Sequence, residues 1–238
     1  MALLRCLGSS SSGNAYLLEC DGETLILELG LSWKEIIKGL GFNIANVSGC
    51  VVSHQHKDHS LSIPNALKAS LSVYSCQEVQ SIHPKVKVLE KGKKTPIGGF
   101  NVMPIPLQHS CECYGFLIEH PKIGRCVFCT DCNAIPYKFK NISHFFVESN
   151  YDNDLLINNM CNDVYSRSAS ENHLEINDTI DFLKANYTPS LQTIVLLHLS
   201  GGNSNANDFK QRVQQELCFS NVLVADKGVE VDLNAYTF

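Results

Sequence analysis

The stretch Gly49-Cys50-Val51-Val52-Ser53-His54-Gln55-His56-Lys57-Asp58-His59-Ser60 decides how the chain is read. Its first half is a short apolar run, the signature of a buried strand. Its second half brings His54, His56, Asp58 and His59 close together in sequence. A loop at a strand's end can turn several side chains towards one point. Imidazole nitrogens and a carboxylate are borderline ligands suited to zinc and its neighbours. On an extended stretch His54 and His56, at i and i+2, can share one cation. Asp58 and His59 can face a second as the chain turns into a helix. A polar loop with chance histidines accounts poorly for so dense a run of ligand types.

One short cluster does not close two sites, so the remaining ligands must come from later strand ends. His109 follows an apolar strand-like run at 100–105, Asp131 follows one at 125–129, and His198 follows Thr193–Leu197. Taken singly, each reads as a capping or surface residue. Taken with the first cluster, all three read as ligands converging on one rim.

The surrounding pattern supplies a scaffold. Residues 15–20, Asp21-Gly22 and 24–29 read as strand, tight turn, strand. Residues 33–40 have helical spacing closed by Gly41, and a helix is expected at 61–70. Short strands follow at 86–89, 100–105, 114–119 and 125–129, then at 144–147. Helices are expected at 152–165, 174–186 and 205–217, with strands at 193–197 and 222–224. No linker, repeat or low-complexity tract interrupts them. A β-rich half followed by a mixed half predicts an α/β chain, a four-layer αββα sandwich in one domain over 1–238.

Composition narrows the function classes. The 238 residues are 44% hydrophobic and 18% charged, which fits a folded chain with a sizeable core and excludes a disordered, collagen-like or coiled-coil one. A net charge of -5 argues against gripping nucleic acid mainly by bulk charge. Lys85, Lys87, Lys91, Lys93 and Lys94 form a local basic stretch, for which a solvated hairpin is the plainer reading. The longest uncharged run, 185–207, is broken by Pro189, Gly201 and Gly202, so no membrane span is expected. The first residues lack the apolar core of a secretion signal. Together with 11 cysteines, an odd number, this predicts a cytoplasmic protein with reduced thiols. Cys111 with Cys113, and Cys129 with Cys132, could suggest a zinc ribbon. They lack its paired knuckles and read as small apolar residues filling strands. There is no P-loop ending and no Gly-x-Ser-x-Gly elbow.

The ligand pattern resembles the metallo-β-lactamase fold superfamily. The resemblance rests on His54-x-His56-x-Asp58-His59, His109, Thr130-Asp131 and His198, in that order, and runs from Gly8 to about Phe209. It implies that His54, His56 and His109 hold one divalent cation. Asp58, His59 and His198 would hold a second, with Asp131 bridging. Zinc is the expected metal and manganese the alternative. Gly8-Ser9-Ser10-Ser11-Ser12-Gly13-Asn14, Leu27-Glu28-Leu29-Gly30-Leu31-Ser32, Glu148-Ser149-Asn150-Tyr151-Asp152, Asn172-His173-Leu174 and His198-Leu199-Ser200-x-x-Asn203 look like the YycJ/WalJ-type branch. That branch is associated with DNA exonuclease activity and is related to tRNase Z-like phosphodiesterases. The chain departs from it at Glu28, where Asp is usual, at Lys57, where a small residue is usual, and at Asn172 and Glu175 around His173. These changes bear on substrate more than on metal.

The resemblance and elementary electrostatics together set the functional expectation. Two divalent ions outweigh the charges of Asp58 and Asp131, so the site attracts an anionic phosphodiester. His173 and Asp58 are the expected catalytic side chains, with His173 as acid for the leaving group. His173 and Asn203 are expected to meet the substrate, and Glu148 and Asn150 to brace the ligands. His83, His120 and His144 read as ordinary histidines, and Lys57 as solvated. The leading function is a metal-dependent nuclease acting on DNA. A hydrolase of small anionic esters such as cyclic nucleotides is the alternative. A non-catalytic binding protein would be marked by lost ligands, and none is missing.

Overall fold

The structure, a computed structural model, describes residues 1–159 and 171–234. Two mixed sheets, each seven-stranded among the described residues, form its centre. The first contains β1 (Ala2–Gly8), β2 (Ala15–Cys20), β3 (Glu23–Leu27), β4 (Val47–Val51), β5 (Val73–Ser75), β6 (Lys87–Val88) and β14 (Glu230–Asp232). Its order is β14-β1-β2-β3-β4-β5-β6, with β3 to β6 mutually parallel. The second contains β7 (Thr95–Ile97), β8 (Phe100–Leu107), β9 (Cys113–His120), β10 (Gly124–Cys129), β11 (His144–Glu148), β12 (Thr193–Leu197) and β13 (Val222–Val224). Its order is β13-β12-β11-β10-β9-β8-β7, with β10 to β13 parallel.

Alternation along the strands builds the layers, because successive side chains point to opposite faces of a sheet. Phe116, Ile118, Cys126, Phe128, Phe146, Val195 and Leu197 face inward and share one core with Leu4, Tyr16, Leu18 and Leu27 of the first sheet. Tyr16 and Phe128 meet edge to face across that seam, 5.5 Å apart. The residues between them (Leu117, Val127, Phe145, Val147, Ile194 and Leu196) face outward into a second core. There α6 (Ile176–Ala185) and α7 (Ala206–Leu217) cover the sheet through Ile180, Leu183, Phe209 and Val213. The first sheet is covered by α1 (Trp33–Gly39), α3 (Ile63–Lys68) and α4 (Gln77–Ile82) through Ile36, Ile63, Ala66 and Val79. Strands covered on both faces read as unbroken apolar runs, which is why β11 and β12 are buried throughout. The fold is the expected α/β four-layer αββα sandwich.

Several elements differ from expectation. The helix anticipated at 61–70 is α3, with Pro64 in its first turn, and a separate single turn, α2 (Lys57–Ser60), precedes it. The helix expected at 152–165 begins as α5 (Asn153–Asn158), and its later part lies outside the described residues. The third begins at Ile176 because Glu175 caps it, its carboxylate accepting the Asn177 N–H. The strands β1, β5, β7 and β14 and the helix α4 were not anticipated. Of these, β5, β7 and β14 are three residues long, too short for alternation to show. The Asp21-Gly22 turn is as read, with φ of 50° and 86° supplying the hairpin's left-handed pair.

His144 lies wholly within the core, stacked on Phe146, and burial pushes its imidazole down to about 4. The unfolded chain takes up this proton below about 6.5 and the folded chain does not. Stability is therefore expected to fall as pH drops from about 6.5 to 4, by up to about 3 kcal/mol from this residue. His144→Phe should flatten that part of the profile in urea titrations across pH. An unchanged slope would assign the loss elsewhere.

Candidate metal centre

The parallel strands β10, β11 and β12 end on one rim, the usual place for a site in such sheets, and the segment after β4 of the first sheet meets it where Tyr114 N donates to the Ser53 carbonyl. Strand β8 runs parallel to β10 because both are antiparallel to β9, so its end joins that rim. From these ends come His54, His109, Asp131, Glu148 and His198. The single turn α2 then folds Asp58 and His59 back beneath His54.

Two sets of ligand atoms result. His54 Nε2, His56 Nδ1 and His109 Nε2 converge, with N···N separations of 2.9 Å (54–56) and 3.2 Å (56–109). A tetrahedron with zinc–nitrogen bonds of 2.0–2.1 Å has an edge of about 3.3 Å. Asp58 Oδ2 lies 3.2 Å from His59 Nε2 and 3.7 Å from His198 Nε2. Asp131 stands between the sets, with Oδ1 3.2 Å from His59 Nε2 and Oδ2 4.0 Å from His54 Nε2. His198 Nε2 is buried and has no hydrogen-bond partner among the described residues, which leaves it open to a cation. In each set the ligand atoms lie within 4.8 Å of one another. Borderline nitrogen and oxygen donors at this spacing fit a divalent cation. His83, His120 and His144 lie outside these groups.

The imidazoles are aimed from behind, which fixes the nitrogen each presents. His54 Nδ1 meets Ser53 Oγ at 2.9 Å and Cys113 Sγ at 3.8 Å. His109 Nδ1 meets the Asn172 carbonyl at 3.1 Å. His59 Nδ1 faces the buried Glu28 carboxylate at 3.5 Å, and Glu28 also accepts the Ser53 N–H. His198 Nδ1 lies 2.9 Å from Asp131 Oδ1 and 3.0 Å from Glu148 Oε1. Asn150 donates to the His198 carbonyl, and Ser9 Oγ accepts the His198 N–H. Asn14 is bound to the metal loop through its backbone N–H and its amide, both donating to the Asp58 carbonyl. Glu28, Asp131 and His198, each just past a strand, have φ of 68°, 49° and 54°. This left-handed turn swings their side chains back over the rim.

Charge divides the two sets. Burial, reinforced by neighbouring histidines, holds His54 and His109 well towards the neutral form. Burial opposes protonation of His198 too, but Asp131 and Glu148 raise it to about 10. Burial alone would raise Asp131; His198 and His59 instead hold it well below the usual carboxylate range. Glu148 sits behind this set, fully buried. Its Oε1 takes His173 Nδ1 at 2.7 Å as well as His198, and its Oε2 accepts the N–H groups of Cys132 and Leu174. Burial would lower His173, but Glu148 raises it. His173 lies at the edge of the site, its ring 5.2 Å from that of His198 and 6.0 Å from that of His109.

Two further observations concern residues singled out in the sequence. Asn203 sits in the turn after His198's strand, its Oδ1 accepting from Asn159 and its carbonyl from the Asp152 N–H. In the basic stretch, Lys91, Lys93 and Lys94 pair with Glu112, Glu90 and Glu119, and Lys87 lies over the Tyr74 ring. The sequence reading sets Cys111 aside as a small apolar filler, whereas its Sγ joins the three-histidine set. Its position two residues after His109 was the available signal. Burial pushes that thiol up to about 11.

This layering and this rim define the chain as one with the metallo-β-lactamase fold. It superposes on the metallo-β-lactamase fold protein YhfI of Bacillus subtilis with a TM-score of 0.75 at 15% identity, over 98% of this chain and 100% of that one. Against the short form of human tRNase Z the TM-score is 0.70 at 14% identity, over 98% and 100%. In sequence it is similar to exodeoxyribonuclease YycJ of Bacillus anthracis, 26% identical over 167 positions, and the match spans 63% of each chain. It is also similar to exodeoxyribonuclease WalJ of Streptococcus pneumoniae, 22% identical over 254 positions, 97% of this chain and 91% of that one. These relatives are of the branch that the sequence motifs resemble. No protein-family model matches the chain.

The metal loop leaves no room at Gly30, where an added Cβ would lie 1.5 Å from the Asp58 carbonyl oxygen and 2.8 Å from Asn14 N. Both are backbone atoms. Gly30→Ala is expected to destabilise the fold by about 1–3 kcal/mol and to lower bound metal. Urea midpoints and elemental analysis check both. Full metal content in a protein of unchanged stability would show that the loop is not wedged there.

Proposed function

We propose that this chain is a metal-dependent phosphodiesterase, a nuclease whose substrate is DNA and whose two cations are zinc, with manganese as the substitute. His54, His56 and His109 would hold one cation and Asp58, His59 and His198 the other, with Asp131 placed to serve both. The observation that carries the reading is the Glu148–His173 pair at 2.7 Å, placed at the edge of a set of ligand atoms. Such a pair is what cleavage of an ester of a poor leaving alcohol requires beyond a cation.

Two bound divalent cations would lower the pKa of water towards ~7 and withdraw charge from a phosphoryl oxygen. Asp58, besides acting as a ligand, accepts a hydrogen bond from the attacking water and orients it. The raised pKa of His173 keeps its proton available near neutrality. His173 gives that proton to the leaving alkoxide through Nε2, and Glu148, bound to Nδ1, stabilises the ring. Asn203 contacts a phosphate oxygen through its side-chain N–H. One domain carries all of these residues. Among the described residues no helix is long and apolar enough to cross a membrane, and the ten described cysteines are free. Free thiols support a cytoplasmic location.

A second reading has its own support. The net charge of -5 and the carboxylate partners of Lys91, Lys93 and Lys94 leave little basic surface for a long strand. A small anionic ester such as a cyclic nucleotide needs only the metal centre. Metal-loaded protein offered linear DNA, RNA, cyclic nucleotides and a chromogenic phosphodiester separates the two. Cleavage confined to the small esters removes the nuclease reading, and no turnover with two cations bound removes the enzyme altogether.

His173→Ala is expected to slow turnover by about 10²- to 10⁴-fold while the metal content stays at the wild-type level. Loss of metal in that variant would make His173 a ligand rather than the acid. Asp131→Asn, by contrast, should reduce metal content at both positions, read by elemental analysis of the dialysed protein.

A further inference from the structure

We infer that Cys111 is an additional, thiolate ligand of the cation held by His54, His56 and His109, which makes that position selective for thiophilic metals. The inference rests on the cation-holding role proposed above for those three histidines. Cys111 lies on the turn between β8 and β9, two residues after His109 and half-buried. Its Sγ and the three imidazole nitrogens all lie within 4.8 Å of one another. With bonds of ~2.3 Å to sulfur and ~2.0–2.1 Å to nitrogen, the sulfur–nitrogen edge of a centre that also takes Asp131 is about 3.1–3.8 Å.

The segment that carries Cys111 is already fastened to the histidine loop on both sides. His109 Nε2 meets His56 Nδ1 at 3.2 Å, and Cys113 Sγ meets His54 Nδ1 at 3.8 Å. Cys113 approaches the wrong nitrogen of His54 to share its cation and donates to the Asp131 carbonyl. Cys111 is therefore the thiol on the ligand side. When its sulfur–metal bond forms, the S–H bond breaks and the proton leaves to solvent. The two positions become unequal. One adds a thiolate to imidazole and the shared Asp131 carboxylate, which suits zinc, and the other has imidazole and carboxylate alone, which tolerates manganese as well.

X-ray absorption at the zinc edge tests this on the full chain loaded with two zinc ions. Wild-type protein is expected to show about one sulfur at ~2.3 Å per pair of zinc ions. Cys111→Ser should lose that shell, and Cys218→Ser, at an exposed thiol, should keep it. In competition, Cys111→Ser should shift the zinc-over-manganese preference towards manganese by at least about tenfold. Two bound zinc ions with only nitrogen and oxygen neighbours in the wild type would overturn the thiolate ligand alone. A sulfur shell that survives in Cys111→Ser would overturn it equally. A wild-type protein that binds no zinc would remove the metal centre itself, and this ligand with it.

Discussion

A buried carboxylate with nowhere else to go governs this protein. Asp131 is 2% exposed and lies between His59 and His198, at 3.2 and 2.9 Å. An ionised group in such a place is tolerable only with opposite charge around it. Its partners come from both sheets, His59 from the loop after β4 and His198 from the end of β12. The seam between the sheets and the chemical site are therefore one object. The core that buries Tyr16 against Phe128 also sets the distance at which these side chains meet.

The rim is graded in charge. Burial holds His54 and His109 towards the neutral form, so their nitrogens offer lone pairs. The second set carries its own negative charge, backed by Glu28 and Glu148. Glu148 has every oxygen occupied, with two imidazoles on one and two backbone N–H groups on the other. A carboxylate so fully engaged is held in one orientation. Through Glu148, His173 is tied to His198 at the edge of the site, where its ring also lies 6.0 Å from that of His109.

The sandwich was readable because each central strand is buried on both faces, giving apolar runs, and because ligand-type residues sit directly after those runs. The alternation of Phe116, Leu117 and Ile118 between two cores follows from the same pleat. The strands β5 and β7 were hidden by their length. The supporting contacts were hidden for another reason: Ser9 meets His198 across 189 positions, and no local pattern encodes that. Cys111 was masked by its own chemistry, since an apolar filler and a soft ligand are the same residue type. The single turn α2 follows the polar end of the metal loop, where hydrophobic period gives no signal. The basic stretch at 85–94 reads most plainly as a solvated hairpin, and three of its five lysines have acidic partners, Glu112 and Glu119 from elsewhere in the fold and Glu90 from within the stretch.

The left-handed backbone at Glu28, Asp131 and His198 has a bearing on engineering. Aspartate and histidine tolerate that conformation at a cost, a glutamate more grudgingly, and glycine adopts it freely. Relaxing one of these corners to glycine would relieve about 1–3 kcal/mol of backbone strain but strip a buried charged group from its partners at about 3–5 kcal/mol. Libraries screened only for survival on heating would therefore keep all three residues. The same three peptide units carry both the strain and the pairings that outweigh it.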